Sequence, residues 1–198
     1  FNRNFALARD GSIFFNGKDS IWKYDPTTKS IAVTKSAFKN PPSMRSSTRE
    51  SKDGWIYGTT HSSWEVFRYN PANDKLEMLG LNWLSGSYVA VTEISPDERF
   101  LYYLPGAHGG GFKDGTPVIQ YEIATGKRKV LAFLAPGFEK EHDFVPAGTY
   151  GIKISADGGT LYVNFNGHAS DRTRPRPMKA IGFSLCGFAA IHIPDSER

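Results

Sequence analysis

Three of the five histidines in this 198-residue chain, His61, His108 and His168, each follow a tyrosine by a similar step. The tyrosines are Tyr57, Tyr102 and Tyr162, and the offsets are +4, +6 and +6. A neutral imidazole can ligate a divalent transition metal or serve as a general base near neutral pH. None of the three belongs to a short H-x-x-x-H pair, so only the fold could bring them together. The alternative is that histidine recurs by repeat ancestry and caps turns. Arg45, Tyr88 and Tyr150 add groups able to bind a carboxylate or donate a proton. For either tyrosine the alternative is packing between neighbouring repeats. Arg172, Arg174 and Arg176 lie in a nine-residue stretch, 171–179, that also holds Lys179. Pro175 and Pro177 exclude a helix there. Arginine offers bidentate contacts to carboxylate, sulfate or phosphate, which suits an acidic sugar polymer, although a solvated loop or a chain–chain contact fits the same residues.

Other chemistry is absent or unsupported. There is no G-x-S-x-G nucleophile motif. The glycine-rich run Gly106–Gly115 has no GK[ST] ending and is not a phosphate loop. Cys186 sits in the apolar run SLCGFAAI and is expected in the core. Arg49, Glu93 and Lys153 fall at equivalent places with alternating sign and are expected to form ion pairs.

The elements that position these residues repeat. ALARDGSIFFNG (6–17), TRESKDGWIYGTTH (48–61), TEISPDERFLYYLPGAH (92–108) and IKISADGGTLYVNFNGH (152–168) share a strand, an Asp turn and a second strand. The turn aspartates are Asp10, Asp53, Asp97 and Asp157, and the aromatics after them are Phe14, Tyr57, Tyr102 and Tyr162. A second hairpin follows in SIWKYDPTTKSIAVT (20–34), EVFRYNPANDKLEML (65–79) and VIQYEIATGKRKVLAF (118–133). Pro presets φ, Gly and Asn accept positive φ, and Asp caps its own backbone, so these linkers are tight turns. Residues 182–194 read as a third strand, with the fourth of that unit missing. Four strands per ~40–45 residues is the period of a β-propeller blade. The expected fold is all-β, one propeller region over 1–198, with blades at about 1–38, 43–82, 86–134 and 147–198. Residues 137–144, the nearest helix candidate, are expected to be at most a short turn.

The hairpins ISPDERFLYYL and ISADGGTLYVNF resemble those of bacterial propellers of the YVTN-type and gluconolactonase-like group, and YDPTTKSI and YEIATGKRKVL resemble their second hairpins. The resemblance implies the fold and carries no activity. The four blades are expected to be part of a larger, seven- or eight-bladed propeller, the alternatives being a half-propeller completed by a second copy and a four-bladed ring. The absence of an initiator Met and of a charged, apolar leader suggests a start within a longer protein or after processing.

Composition sets the outer limits. With 39% hydrophobic and 22% charged residues the chain is an ordinary globular one, which excludes disorder. No apolar run reaches the roughly 20 residues of a membrane span. One cysteine excludes a disulfide framework and fits either the cytoplasm or an exported bacterial protein. A periplasmic or extracellular location is the working expectation. A net charge of +4 suits acidic partners but is far from an RNA-binding tail, and no nucleic-acid partner is expected.

In propeller blades the loop between strands B and C and the loop before strand A share one end, where the histidines, Arg45, Tyr88 and the basic stretch fall. The expected function is a ligand-binding module for an anionic carbohydrate or a protein partner at that end. The alternative is a metal- or histidine-dependent lyase or hydrolase acting on an acidic carbohydrate. That alternative is similar in outline to oligogalacturonate lyases, which place histidines and a divalent metal on a propeller face. Its candidate catalytic residues are His61, His108, His168 and Tyr150, the three histidines being the candidate ligands of a divalent transition metal. A third possibility is a scaffold within a larger assembly.

Overall fold

The computed structural model describes residues 4–17, 20–38, 43–84, 86–108, 110–170 and 185–198. Chain contacts divide the protein into two units, 1–92 and 93–198.

Unit 1 holds two antiparallel four-stranded sheets. Blade 1 is β1 (Phe5–Leu7), β2 (Ile13–Asn16), β3 (Ile21–Asp25) and β4 (Ser30–Val33), paired in sequence order. Blade 2 is β5 (Ser43–Glu50), β6 (Ile56–His61), β7 (Glu65–Asn70) and β8 (Lys75–Leu81), ordered likewise. Side chains alternate between the two faces of each sheet. One face of blade 1, with Ala6, Phe14 and Ile21, is buried with Ile56, Phe67 and Tyr69 of blade 2 in a single core. Phe14 meets Tyr69 edge-on, with ring centroids 5.4 Å apart. Asp74, at the blade 2 turn, accepts from the backbone amides of Lys35 (2.5 Å) and Ser36 (3.2 Å) and from the Tyr69 hydroxyl (3.1 Å). Burial opposes the charge of this carboxyl, but these donors outweigh it and hold Asp74 below the usual carboxylate range. The Tyr69 hydroxyl is pushed up, by burial first and by the Asp74 charge second.

Unit 2 holds blade 3, which is β9 (Thr92–Ile94), β10 (Phe100–Tyr103), β11 (Pro117–Glu122) and β12 (Arg128–Phe133). Its first strand starts on the last residue of unit 1. Among the described residues blade 4 has three strands, β13 (Phe144–Ile154), β14 (Thr160–Ala169) and β15 (Leu185–His192). Val118 and Leu131 of blade 3 line a common cleft with Leu161 and Ile191 of blade 4. Gln120 donates to the Tyr102 hydroxyl (3.1 Å) and to the carbonyl of Glu197 (2.7 Å), so the last residues cover that face of blade 3. Lys153 pairs with Glu93 at 2.9 Å, one of the expected ion pairs.

The turns follow from single side chains. Asp25 Oδ1 accepts from the amides of Thr27 and Thr28, and Asn70 Oδ1 from those of Ala72 and Asn73. In the first hairpins of blades 2 to 4 a serine two residues before the aspartate closes the turn. Ser95 donates to Asp97 (2.6 Å) and accepts from the amide of Phe100 (2.9 Å). Ser155 does the same with Asp157 (2.6 Å) and Thr160 (2.8 Å), and Ser51 with Asp53 (2.5 Å) and Trp55 (3.0 Å). In blade 1 Ala8 takes this place, and Asp10 holds the turn through the amide of Ser12.

Three expectations are corrected. Residues Ala135–His142 form a full α-helix, α1, rather than a short turn. Pro136 near its start presets φ, and the missing amide costs nothing there. Blade 4 starts at Phe144 rather than at about 147, and its first strand runs on to Ile154 with Tyr150 inside it. Cys186 is exposed rather than in the core. It shares the outer face of blade 4 with Tyr162 and Phe188, which are 40% and 69% exposed. An apolar run marks burial only when something covers the sheet.

Candidate functional site

Unit 1 gathers Arg45, His61 and Tyr88 at one end of blade 2, together with Trp64, which the repeat pattern did not single out. Arg45 lies early in β5, in a register break between Met44 and Ser46. Such a bulge re-aims one side chain out of the alternation. The guanidinium is buried (8% exposed), its Nε donating to the Tyr88 hydroxyl and an Nη to the carbonyl of Ala90 at 3.1 Å. It also sits 4.8 Å from the centre of the Tyr88 ring. Two of its five N–H donors are so used, and among the described residues no carboxylate is recorded in an ion pair with it.

His61 is the last residue of β6, as expected, opposite Ser43. Its ring lies 5.3 Å from Tyr88 and 5.7 Å from Trp64, and Trp64 lies 6.0 Å from Tyr88. The loop after His61 that carries Trp64 is strained, with positive φ at Ser62 (79°) and Trp64 (56°). Asn82, fully buried, braces it. Its amide donates to the Trp64 carbonyl (2.8 Å), while its side chain donates to the Ser87 carbonyl (2.8 Å) and accepts from the Ser87 amide (3.0 Å). Gly86, at φ 82°, passes so close that a Cβ there would stand 2.6 Å from the Trp64 Cβ.

Unit 2 gathers the other residues more loosely. His108 lies in the loop after β10, not at the strand end, and is exposed. Tyr150 occupies a second register break, between Thr149 and Gly151. Its hydroxyl lies 3.4 Å from His108 Nδ1, a long bond, with the rings 6.5 Å apart. His168 lies inside β14 against Phe112, ring centroids 5.9 Å apart. Its Nδ1 is buried with no hydrogen-bond partner among the described residues, and burial pushes the imidazole below its usual range. Within this unit His108 and His168 each have an aromatic neighbour of their own. Among the described residues no group of three or more His, Cys, Asp or Glu side chains is arranged to hold a metal ion. Arg172, Arg174 and Arg176 lie outside the described residues. No described helix is long and apolar enough to cross a membrane.

No family model matches the chain, and no curated protein does. Solved structures match at the level of fold. Virginiamycin B lyase from Staphylococcus aureus is 15% identical over 98% of this chain and 56% of that one, with a TM-score of 0.57. The β-propeller domain of Cps50 (Swd1) from Myceliophteria thermophila is 15% identical over 82% of this chain and 48% of that one, TM-score 0.56. The extracellular domain of the putative hybrid two-component system BT4673 from B. thetaiotaomicron is 16% identical over 98% of this chain and 22% of that one, TM-score 0.55. The chain therefore has the β-propeller fold and spans 56% or less of the length of these three. Propellers host many unrelated functions, so the fold carries no activity with it.

Proposed function

We propose that the chain is a β-propeller ligand-binding module whose B–C loop end takes an anionic carbohydrate. The observation that carries this reading is Arg45, a buried cation with uncharged partners beside three aromatic rings. A buried charge is costly unless something compensates it, and an incoming carboxylate would do so. Trp64 and His61 offer ring faces for the apolar side of a sugar, and the Asn82 brace fixes them before binding, which lowers the cost of ordering the site. Arg172, Arg174 and Arg176 add sequence-level positive charge that suits an anionic ligand. A protein partner would use the same end. An extracellular or periplasmic setting, where acidic polysaccharides occur, suits this reading.

The test is calorimetric titration with digalacturonate and, as a neutral control, cellobiose. Digalacturonate is expected to bind and cellobiose not. Arg45→Gln, which keeps hydrogen bonding to Tyr88, is expected to weaken binding at least tenfold. Equal affinity for both sugars, or no binding of either, would overturn the reading.

The Tyr150–His108 pair favours a second reading, a lyase or hydrolase acting on an acidic carbohydrate. A tyrosine and a histidine within reach of each other are suited to acid–base proton transfer. Cleavage of polygalacturonate, lost in both His108→Ala and Tyr150→Phe, would support it. Metal analysis of untagged protein tests whether a divalent transition metal takes part.

A further inference from the structure

We infer that Ser62 and His61 form a nucleophile–base pair that hydrolyses carboxylic esters. The inference does not rest on the anionic-carbohydrate reading and stands if that reading fails. Three features meet at Ser62. It is exposed, and its hydroxyl lies 2.9 Å from His61 Nδ1. With the ring proton on Nε2, Nδ1 accepts the hydroxyl proton, at the distance a nucleophile and its base require. Ser62 also sits at φ 79°, a backbone region that serine enters only at a cost and that clusters at functional sites. Serine nucleophiles are held on such sharp, strained turns, with the amide of the following residue aimed at the developing oxyanion. Among the described residues no acceptor is recorded for the Ser63 or Trp64 amide.

The surroundings separate the two serines and steady the base. The Ser63 hydroxyl is bonded to that of Thr60 at 2.6 Å, which leaves Ser62 as the partner of His61. The imidazole stands edge-on to Tyr88, at 5.3 Å and 89°, and tilted against Trp64, at 5.7 Å and 55°. In the reaction Ser62 Oγ bonds to the acyl carbon and its proton passes to His61 Nδ1. The bond from that carbon to the alcohol oxygen breaks, and the alcohol leaves with the proton. Water then attacks the acyl-serine, gives a proton to Nδ1, and releases the carboxylic acid as the imidazole returns the proton to Ser62 Oγ.

The test is labelling of the 198-residue protein with a fluorophosphonate, read by peptide mass spectrometry, beside hydrolysis of 4-nitrophenyl acetate. Neither probe contains an acidic sugar, so a failure here leaves the carbohydrate reading to its own titration. One label is expected, on Ser62, and Ser62→Ala is expected to lose both the label and the ester turnover. His61→Phe, which keeps a ring between Tyr88 and Trp64, should label roughly a hundredfold more slowly. Absence of the label, a label on another residue, or a label without ester turnover overturns the inference. So does ester hydrolysis that survives Ser62→Ala, or a His61→Phe rate within about tenfold of the wild type. If His61→Phe loses its circular-dichroism strand signal, His61→Asn replaces it.

Discussion

Blades 2 and 4 each place a site residue at a bulge in the first strand, yet they hold it in opposite ways. Arg45 is buried and bonded, under a ring cluster fixed by Asn82. Tyr150 is 37% exposed, and its bond to the exposed His108 is long. The same local device thus serves two purposes. In blade 2 the geometry is set before any ligand arrives, and in blade 4 it is left adjustable. Preorganised groups contribute affinity, because little is left to order on binding. Loosely held acid–base groups can tighten when substrate arrives, as long catalytic contacts often do in unliganded enzymes.

The largest expected effect comes from removing the brace. Asn82→Ala leaves the Ser87 amide and carbonyl without their partner and should cost about 3 kcal/mol in urea unfolding. An Asn82→Ala loss below about 1 kcal/mol would mean the blade 2 loop is not braced as described. Next is Asp74, whose lowered pKa ties the stability of unit 1 to pH. A depressed carboxyl stabilises the fold above its unfolded value, about 3.9, and that contribution fades as pH falls through the lower folded value. Asp74→Asn should lower stability at pH 7 and flatten its acid dependence; an unchanged acid profile would count against this role. His168 sharpens the contrast within unit 2. Its imidazole should titrate below 6.5 by NMR, since burial disfavours the charged form, and a midpoint above 6.5 would contradict that burial. The smallest effect is expected from Tyr150→Phe, about 0.5 kcal/mol or less in stability, because the bond it removes is long and solvent-facing. A larger loss would show that blade 4 is as tightly set as blade 2.

The repeat made the blades legible, because aspartate turns and alternating aromatics are local signals. The Arg45–Tyr88 pairing was only half legible: both residues could be named, but not the bulge that aims Arg45 beneath the Tyr88 ring. A bulge depends on pairing between strands, and no residue type at 45 announces it. Trp64 was missed because its loop is specific to blade 2 and repeats nowhere else. The placement of Cys186 was misread for a related reason. Apolar alternation gives the two faces of a sheet but not which of them is covered. Ser51, Ser95 and Ser155 were legible in principle, since each precedes its aspartate by two residues, a spacing as regular as that of the aspartates.

That serine has a consequence for the order in which the protein opens. Where it is present, the first hairpin is latched by contacts between residues five or fewer apart, and contacts so local form early and break late. Blade 1 has alanine there and relies on Asp10 alone. Its amides should therefore exchange with deuterium ahead of those in the first hairpins of blades 2 to 4, making blade 1 the least protected of the four.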